Sequence, residues 1–386
     1  MQTPEWIWFV FIFAFGCCVG SFLNVVIYRL PRDKSLVKPG SACPSCGRHI
    51  RFYDNIPLLS WLVLAAKCRY CKSPISPRYF IIELLTSLVF TGLFFLYFYT
   101  DFREGIPPFL GGGGIVYLLH ITMLATFIAA SAIDMELWII PLAICWFVTA
   151  VGLIGSSVGA FVIDPVLIIS YNLLPNASAM TGALAAGAVA GLGISLFAMA
   201  TGLIKRSYES DDSDSSEPVK QQDKLAEPHF NHHLEAFREI VFLLPIVVCA
   251  LGAFLLSRKI PTIRTWWMEF SQVPVIAGLL GSVWGYFVGC GIVWTTRILG
   301  TLGFGKEAMG LGDVHLMGAA GAIIGPGMVA VAFFVAPFYG LAWAVFQMFF
   351  KKIRQIPYGP FLSLGIFTVM IFHDWIFRYL SIIFYR

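Results

Sequence analysis

Long apolar runs separated by short polar segments dominate the chain, and run length rather than periodicity sets the first expectation. Runs near Trp6 to Tyr28, Tyr79 to Tyr99, Ile115 to Ile133, Ile139 to Gly155, Ala177 to Ile204, Ile240 to Leu256, Val273 to Leu299, Met328 to Phe350 and Phe361 to Phe377 match the roughly 20 residues with which a helix crosses a bilayer. Val314 to Ile324 is too brief to cross alone. The loop from Arg29 to Arg78 carries ten Lys and Arg against Asp33 and Asp54, a bias that marks the cytoplasmic side and puts the N-terminus outside. Counting spans onward puts Asp134, the polar stretch Lys205 to Glu239 and the segment Gly300 to Asp313 all in the cytoplasm. The basic Lys351-Lys352-Ile353-Arg354 belongs there too. The chain after Asp313 must therefore enter and return, as a short helix and a longer one, with Gly325-Pro326-Gly327 as the break.

Composition agrees: 58% of the 386 residues are hydrophobic and only 12% charged, which excludes the soluble classes. The net charge of +4 is a small sum over unequal loops and gives no reason to expect nucleic acid as a partner; the lipid bilayer is the expected one. A secretory signal peptide is a poor reading of residues 1–28, because Glu5 and no basic residue precede the apolar run and Arg29 follows it. The expected organisation is a first transmembrane helix (1–28), a cytoplasmic metal-binding loop (29–78), membrane helices reaching a first candidate aspartate (79–204), a polar, partly disordered cytoplasmic insertion (205–239) and further membrane helices (240–386).

The metal expectation comes from Cys43-Pro44-Ser45-Cys46 and Cys68-Arg69-Tyr70-Cys71, two Cys-x-x-Cys knuckles with twenty-one residues between them. This is a zinc-ribbon spacing, and structural zinc would fold a loop too short for its own core. Disulfides are the competing use of the same residues, disfavoured by a reducing compartment. Cys17, Cys18, Cys145, Cys249 and Cys290 lie in apolar runs and read as small buried hydrophobes. The fold class is an all-α polytopic membrane protein of about nine to ten hydrophobic helices with a small cytoplasmic zinc-ribbon loop.

Asp134 and Asp313 stand where apolar runs meet polar chain, the latter within Gly310-Leu311-Gly312-Asp313. Ionisable groups at membrane depth are costly, and two carboxylates brought together are equipped to activate water. Gly310 and Gly312 clear side chains from the approach of an extended substrate backbone on this reading; loop flexibility is the other. Glu136 and Asp164 read as interfacial anchors.

These residues carry a resemblance to the type IV prepilin peptidases. It runs nearly end to end, through Gly20-Ser21-Phe22-Leu23-Asn24 with Tyr28-Arg29-Leu30-Pro31, the cysteine knuckles, Asp54-Asn55-Ile56-Pro57, Ser76-Pro77-Arg78-Tyr79 with Glu83-Leu84-Leu85-Thr86, Ile133-Asp134 with Ile140-Pro141, Met309-Gly310-Leu311-Gly312-Asp313, and Pro357-Tyr358-Gly359-Pro360. The resemblance implies an enzyme of the bacterial inner membrane, with the N-terminus periplasmic and the active site facing the cytoplasm. It implies removal of a short basic leader from prepilins and pseudopilins by Asp134 and Asp313, then methylation of the new N-terminal amine with S-adenosylmethionine. Asp54, Asn55, Arg69 and Glu83 are the candidates for the methyl-transfer or substrate loop, although charges at helix ends explain some of them equally well. No glycine-rich nucleotide loop is visible, so the methyl-transfer half rests on the resemblance alone.

Two departures from the family stand out. His315 occupies the place of the usual lysine two residues after the second aspartate; at that helical offset it points away from Asp313 and suits packing or the substrate channel. Extra chain also precedes that aspartate. Thr181-Gly182-Ala183-Leu184 with Gly187 is similar to Ala277-Gly278-Leu279-Leu280 with Gly285, as a duplicated span or simply as two close-packing faces. Glu209 to Pro218 is disordered by composition, and His229-Phe230-Asn231-His232-His233 is a weak metal candidate ahead of an amphipathic turn built on Leu234, Phe237 and Ile240. A peptidase without methyl transfer and a presenilin-like GxGD protease are the alternatives among enzymes; the latter would show a Tyr-Asp pair and a Pro-Ala-Leu segment. A transporter would place its acids nearer the span centres and would not need the zinc loop.

Overall fold

The computed structural model describes residues 5–100, 102–204, 232–350 and 357–384. The expected disordered stretch Glu209 to Pro218, residues 229–231 of the histidine cluster and the basic Lys351 to Arg354 lie outside the described residues. Among the described residues eight helices are long and apolar enough to cross a membrane, making this a multi-pass membrane protein. In chain order the helices are α1 (Glu5–Arg29), α2 (Leu59–Val63), α3 (Pro77–Phe98), α4 (Gly113–Leu137), α5 (Leu142–Val162), α6 (Pro165–Tyr171), α7 (Ala179–Ala200), α8 (His232–Lys259), α9 (Pro261–Ser271), α10 (Pro274–Phe304), α11 (Leu311–Ile324), α12 (Pro326–Phe350), α13 (Gly359–Ile371) and α14 (His373–Phe384). The short α2, α6, α9 and α11 fall below spanning length, and extended chain pairs only as two isolated bridges.

Local sequence sets the helix ends. Pro occupies the first turn of α3, α6, α9 and α10, where its missing N–H costs nothing, and Ser178 with Thr181 forms a capping box at α7. Helix α4 stops where Trp138 turns left-handed and returns its N–H to the Asp134 carbonyl at 2.9 Å; Pro141 then opens α5. The polar insertion is shorter than expected at its C-terminal end, since residues 232–239 form the first turns of α8. Glu235 and Glu239 tolerate burial there because Arg238 and Arg297 pair with them.

Helix α11 is the innermost element: every residue from Val314 to Ile324 except His315 is buried, between α5, α10, α12 and α13. It sits so deep because small residues let backbones meet, the usual means of helix packing where lipid supplies no hydrophobic drive. A Cβ on Gly285 of α10 would stand 2.0 Å from the Gly321 carbonyl oxygen, and one on Gly321 would stand 2.1 Å from that of Gly285. The similar stripe on α7 has an equivalent use, with Gly187 and Gly191 against the α8 backbone. Large apolar side chains such as Phe197 and Leu341 point outward, as lipid contact requires.

The last apolar run is not one straight span. Helices α13 and α14 meet at 81°, because His373 and Asp374 are drawn sideways onto Arg103 while Asp374 also accepts from the Glu104 N–H at 2.6 Å. Polar partners at the end of α13 thus override an apolar continuation.

Candidate active site and four-cysteine centre

Asp134 lies three residues before the end of α4, and Asp313 in the first turn of α11; both are buried, at 7% and 9% exposure. The two side chains are near enough to interact electrostatically. The α13 start closes the site. Gly359 N–H donates to Asp134 Oδ2 at 3.0 Å, and a Cβ at Gly359 would come within 2.7 Å of that oxygen. Tyr358, just before it, lies within reach of the Asp313 charge. Behind Asp313, Gly310 accepts from its backbone N–H at 3.2 Å. Ile140 links the two positions: a Cβ on Gly359, beside Asp134, would meet Ile140 Cδ1 at 3.0 Å, and one on Gly312, beside Asp313, would meet Ile140 Cβ at 2.7 Å.

The expectation that Gly310 and Gly312 both clear space for substrate needs correcting for one of them. A Cβ on Gly312 would stand 2.7 Å from Ile140 Cβ, so its bareness serves contact with the α4–α5 turn. A Cβ on Gly310 would meet Asp313 Oδ2 at 3.5 Å, an ordinary contact, so that position remains open toward the carboxylate. His315 Nδ1 hydrogen-bonds Tyr286 Oη at 2.8 Å, toward α10 and away from the pair. Tyr358, Gly359 and Ile140 were not singled out as site residues. Their signal lies in the Pro-Tyr-Gly-Pro and Ile-Pro blocks, which carry no carboxylate, imidazole or thiol to mark them as chemistry.

The second centre lies in the α1–α3 loop. Cys43, Cys46, Cys68 and Cys71 bring their sulfurs within 4.8 Å of one another, and all four are free thiols rather than disulfides. Cys43 and Cys71 sulfurs stand 3.8 Å apart, the edge of a tetrahedron whose metal–sulfur bonds are about 2.3 Å, so the donor set fits a four-thiolate ion. The two knuckles are built alike. Cys43 N–H donates to the Arg48 carbonyl at 3.0 Å and Cys68 N–H to that of Ser73 at 2.8 Å; Gly47 and Lys72, each four residues after the first cysteine of its knuckle, take positive φ. Backbone N–H groups of Cys46 and Ser45 aimed at the Cys43 sulfur lower its thiol to about 6, favouring the thiolate a metal needs.

The remaining loop candidates brace this unit. Arg69 donates Nε and Nη2 to the two oxygens of Asp54 at 2.8 and 2.6 Å, and these hydrogen bonds hold the Asp54 carboxyl below the usual range. Asn55 is exposed, closing a turn on the Phe52 carbonyl. Glu83, 8% exposed on α3, accepts from Leu58 N–H at 2.8 Å and so holds a residue at φ 60° that would otherwise be strained. Arg78 pairs with Glu136, two residues after Asp134, which ties the base of the loop to the carboxylate site. Glu136 is therefore a tie between helices rather than a bare interfacial anchor, and Asp164 caps α6 by accepting from Val166 N–H at 2.8 Å.

Family models match the chain twice, as a bacterial peptidase A24 N-terminal domain over residues 14–97 and as the type IV leader peptidase family over residues 239–345. A prepilin leader peptidase/N-methyltransferase of Klebsiella pneumoniae is 34% identical over 190 residues, covering 48% of this chain and 72% of that protein. The chain belongs to the type IV leader peptidase family. Proteins of the same description from Myxococcus xanthus and Vibrio cholerae are 44% and 39% identical, over 35% and 27% of this chain. The chain spans about a third of the Myxococcus protein's length, at 36%, and about half of the Vibrio protein's, at 52%. No solved structure matches. The cysteine loop falls in the first family match and Asp313 in the second, whereas Asp134 lies between the two.

Proposed function

We propose that this leader-peptidase family member is an aspartyl endopeptidase that removes the basic leader of type IV prepilins and pseudopilins at the cytoplasmic face of the bacterial inner membrane, and that it methylates the amine so exposed. What supports the peptidase half is that Asp134 and Asp313, far apart in sequence, are both buried and that Ile140 packs against the glycine next to each, Gly359 for Asp134 and Gly312 for Asp313. The protonated member hydrogen-bonds the scissile carbonyl oxygen; the ionised member takes a proton from water as it attacks; the roles reverse when the amine departs. The methyl-transfer half follows the printed names of the relatives and the intact cysteine loop. S-adenosylmethionine supplies the methyl group when bound, and no residue is assigned to hold it. Zinc is the ion best suited to the four thiolates, with a structural rather than chemical part, since all four positions are filled by protein.

Mass spectrometry of a pilin-like substrate incubated with the purified protein, with and without S-adenosylmethionine, tests both halves: loss of the leader reports one and a methyl increment the other. Asp134→Ala and Asp313→Ala each abolish leader removal and leave the zinc content unchanged. Normal cleavage by either variant ends the peptidase proposal.

A further inference from the structure

A buried ion cluster stands directly behind the loop that carries Asp313, and the chemistry described above does not use it. Arg297 of α10 is 1% exposed and wholly inside the protein. Its Nε donates to Glu239 Oε1 and Oε2 at 2.9 and 3.2 Å, and its Nη1 donates to Glu307 Oε1 at 2.6 Å and to the Met309 carbonyl. Glu239 comes from α8, is 4% exposed, and takes a further hydrogen bond from Trp294 Nε1 at 2.9 Å. Thr301 accepts from Ala308 N–H at 3.4 Å and fastens the same loop one residue earlier. The guanidinium therefore bridges three elements: α8 through Glu239, α10 through its own backbone, and the α10–α11 loop at Met309, one residue before Gly310.

Burying such a pair is an expensive way to gain stability, because desolvation of both charges offsets most of their attraction and apolar residues of the same volume do as well or better. What apolar residues lack is a directed donor. The Met309 carbonyl sits where the loop turns into α11, four residues before Asp313, and a fork with fixed geometry holds it in a way that packing does not. Electrostatically too the guanidinium charge reaches Asp313.

We propose that Arg297, oriented by Glu239 and Trp294, is a positioning residue for the Asp313 arm of the carboxylate pair, which makes α8 a working part of the peptidase site. The proposal rests on the peptidase reading above and adds to it the device that holds the second carboxylate in register with the first.

The test uses the full chain in detergent and a peptide carrying a basic leader. Replacing both buried charges, Glu239→Leu with Arg297→Leu, leaves only Glu307 without its partner, and that side chain is 46% exposed to solvent, so the thermal midpoint stays near that of the parent. Its kcat falls roughly 100-fold through misplacement of the carboxylate, with KM within about twofold. Arg297→Lys keeps the charge but not the fork and loses about tenfold. Glu239→Gln, nearly isosteric, is the second measure should the double variant fail to fold; it lowers kcat with KM unchanged. An active parent with unchanged kcat in the folded double variant, or in Glu239→Gln, overturns the positioning role alone. A parent that cleaves no leader overturns the function on which it rests.

Discussion

Asp134 depends on a residue with no side chain. Gly359 brings its N–H to Oδ2 at 3.0 Å because nothing but hydrogen stands on its Cα, and a methyl there would fall 2.7 Å from the same oxygen. Gly359→Ala should therefore displace the Asp134 carboxylate and cost roughly 100-fold in leader cleavage, with zinc content unchanged. Gly310→Ala places its methyl 3.5 Å from Asp313 Oδ2, so its loss should be much smaller. Comparing the two initial rates on one substrate checks both, and equal losses would remove the distinction. The aspartates were legible from their charge in an apolar setting and Gly310 from its motif. Gly359 was not, because what makes it necessary is a contact 225 positions away in sequence. Gly312 was legible as a residue and misread in purpose, for the same reason: Ile140 decides its use.

At the scale of elements, apolar run length located the spanning helices because bilayer thickness imposes it, and the short α11 was correctly too brief to cross. The 81° break between α13 and α14 was hidden, since hydropathy does not see that Arg103 waits at the end of the run. The α10–α11 seam offers a direct check on the buried short helix. With the Gly285 and Gly321 backbones in contact, Gly285→Val forces the helices apart; overpacking alone costs roughly 1–3 kcal/mol, and cleavage should fall with it because Asp313 rides on α11. A lowered thermal midpoint in detergent together with reduced rate is the expected result. The cysteine loop behaves as a separate element. Its knuckles close on their own backbone and meet the bundle through Glu83 and the Arg78–Glu136 tie. Cys43→Ser with Cys46→Ser should lower zinc and methylation together, read by metal analysis and the methyl mass increment; methylation at the parent level without zinc would separate the two.

For the whole molecule, the proposed orientation follows from which end carries unpaired positive charge. The end with the carboxylate pair also has the α1–α3 loop and its surplus of Lys and Arg. The other end has Arg103 and Arg378, but these are neutralised by Asp374 and Glu104. It also has Arg258, Lys259 and Arg264 around the α8–α9 turn, against Glu269. That turn is the place where the charge rule is most strained, so it discriminates best. Phosphatase fused after Glu104, Asp164 or Arg264 should be active, and a fluorescent protein fused after Ser35 or Lys306 should fold and emit. Fluorescence from the fusion at Arg264 would mean that α7 and α8 do not cross as a pair. Helix α10 would then start from the cytoplasm and deliver Asp313 to the face opposite Asp134, against the proposed carboxylate pair; the proposed chemistry thus requires α7 and α8 to cross as a pair, and the fusion at Arg264 tests it.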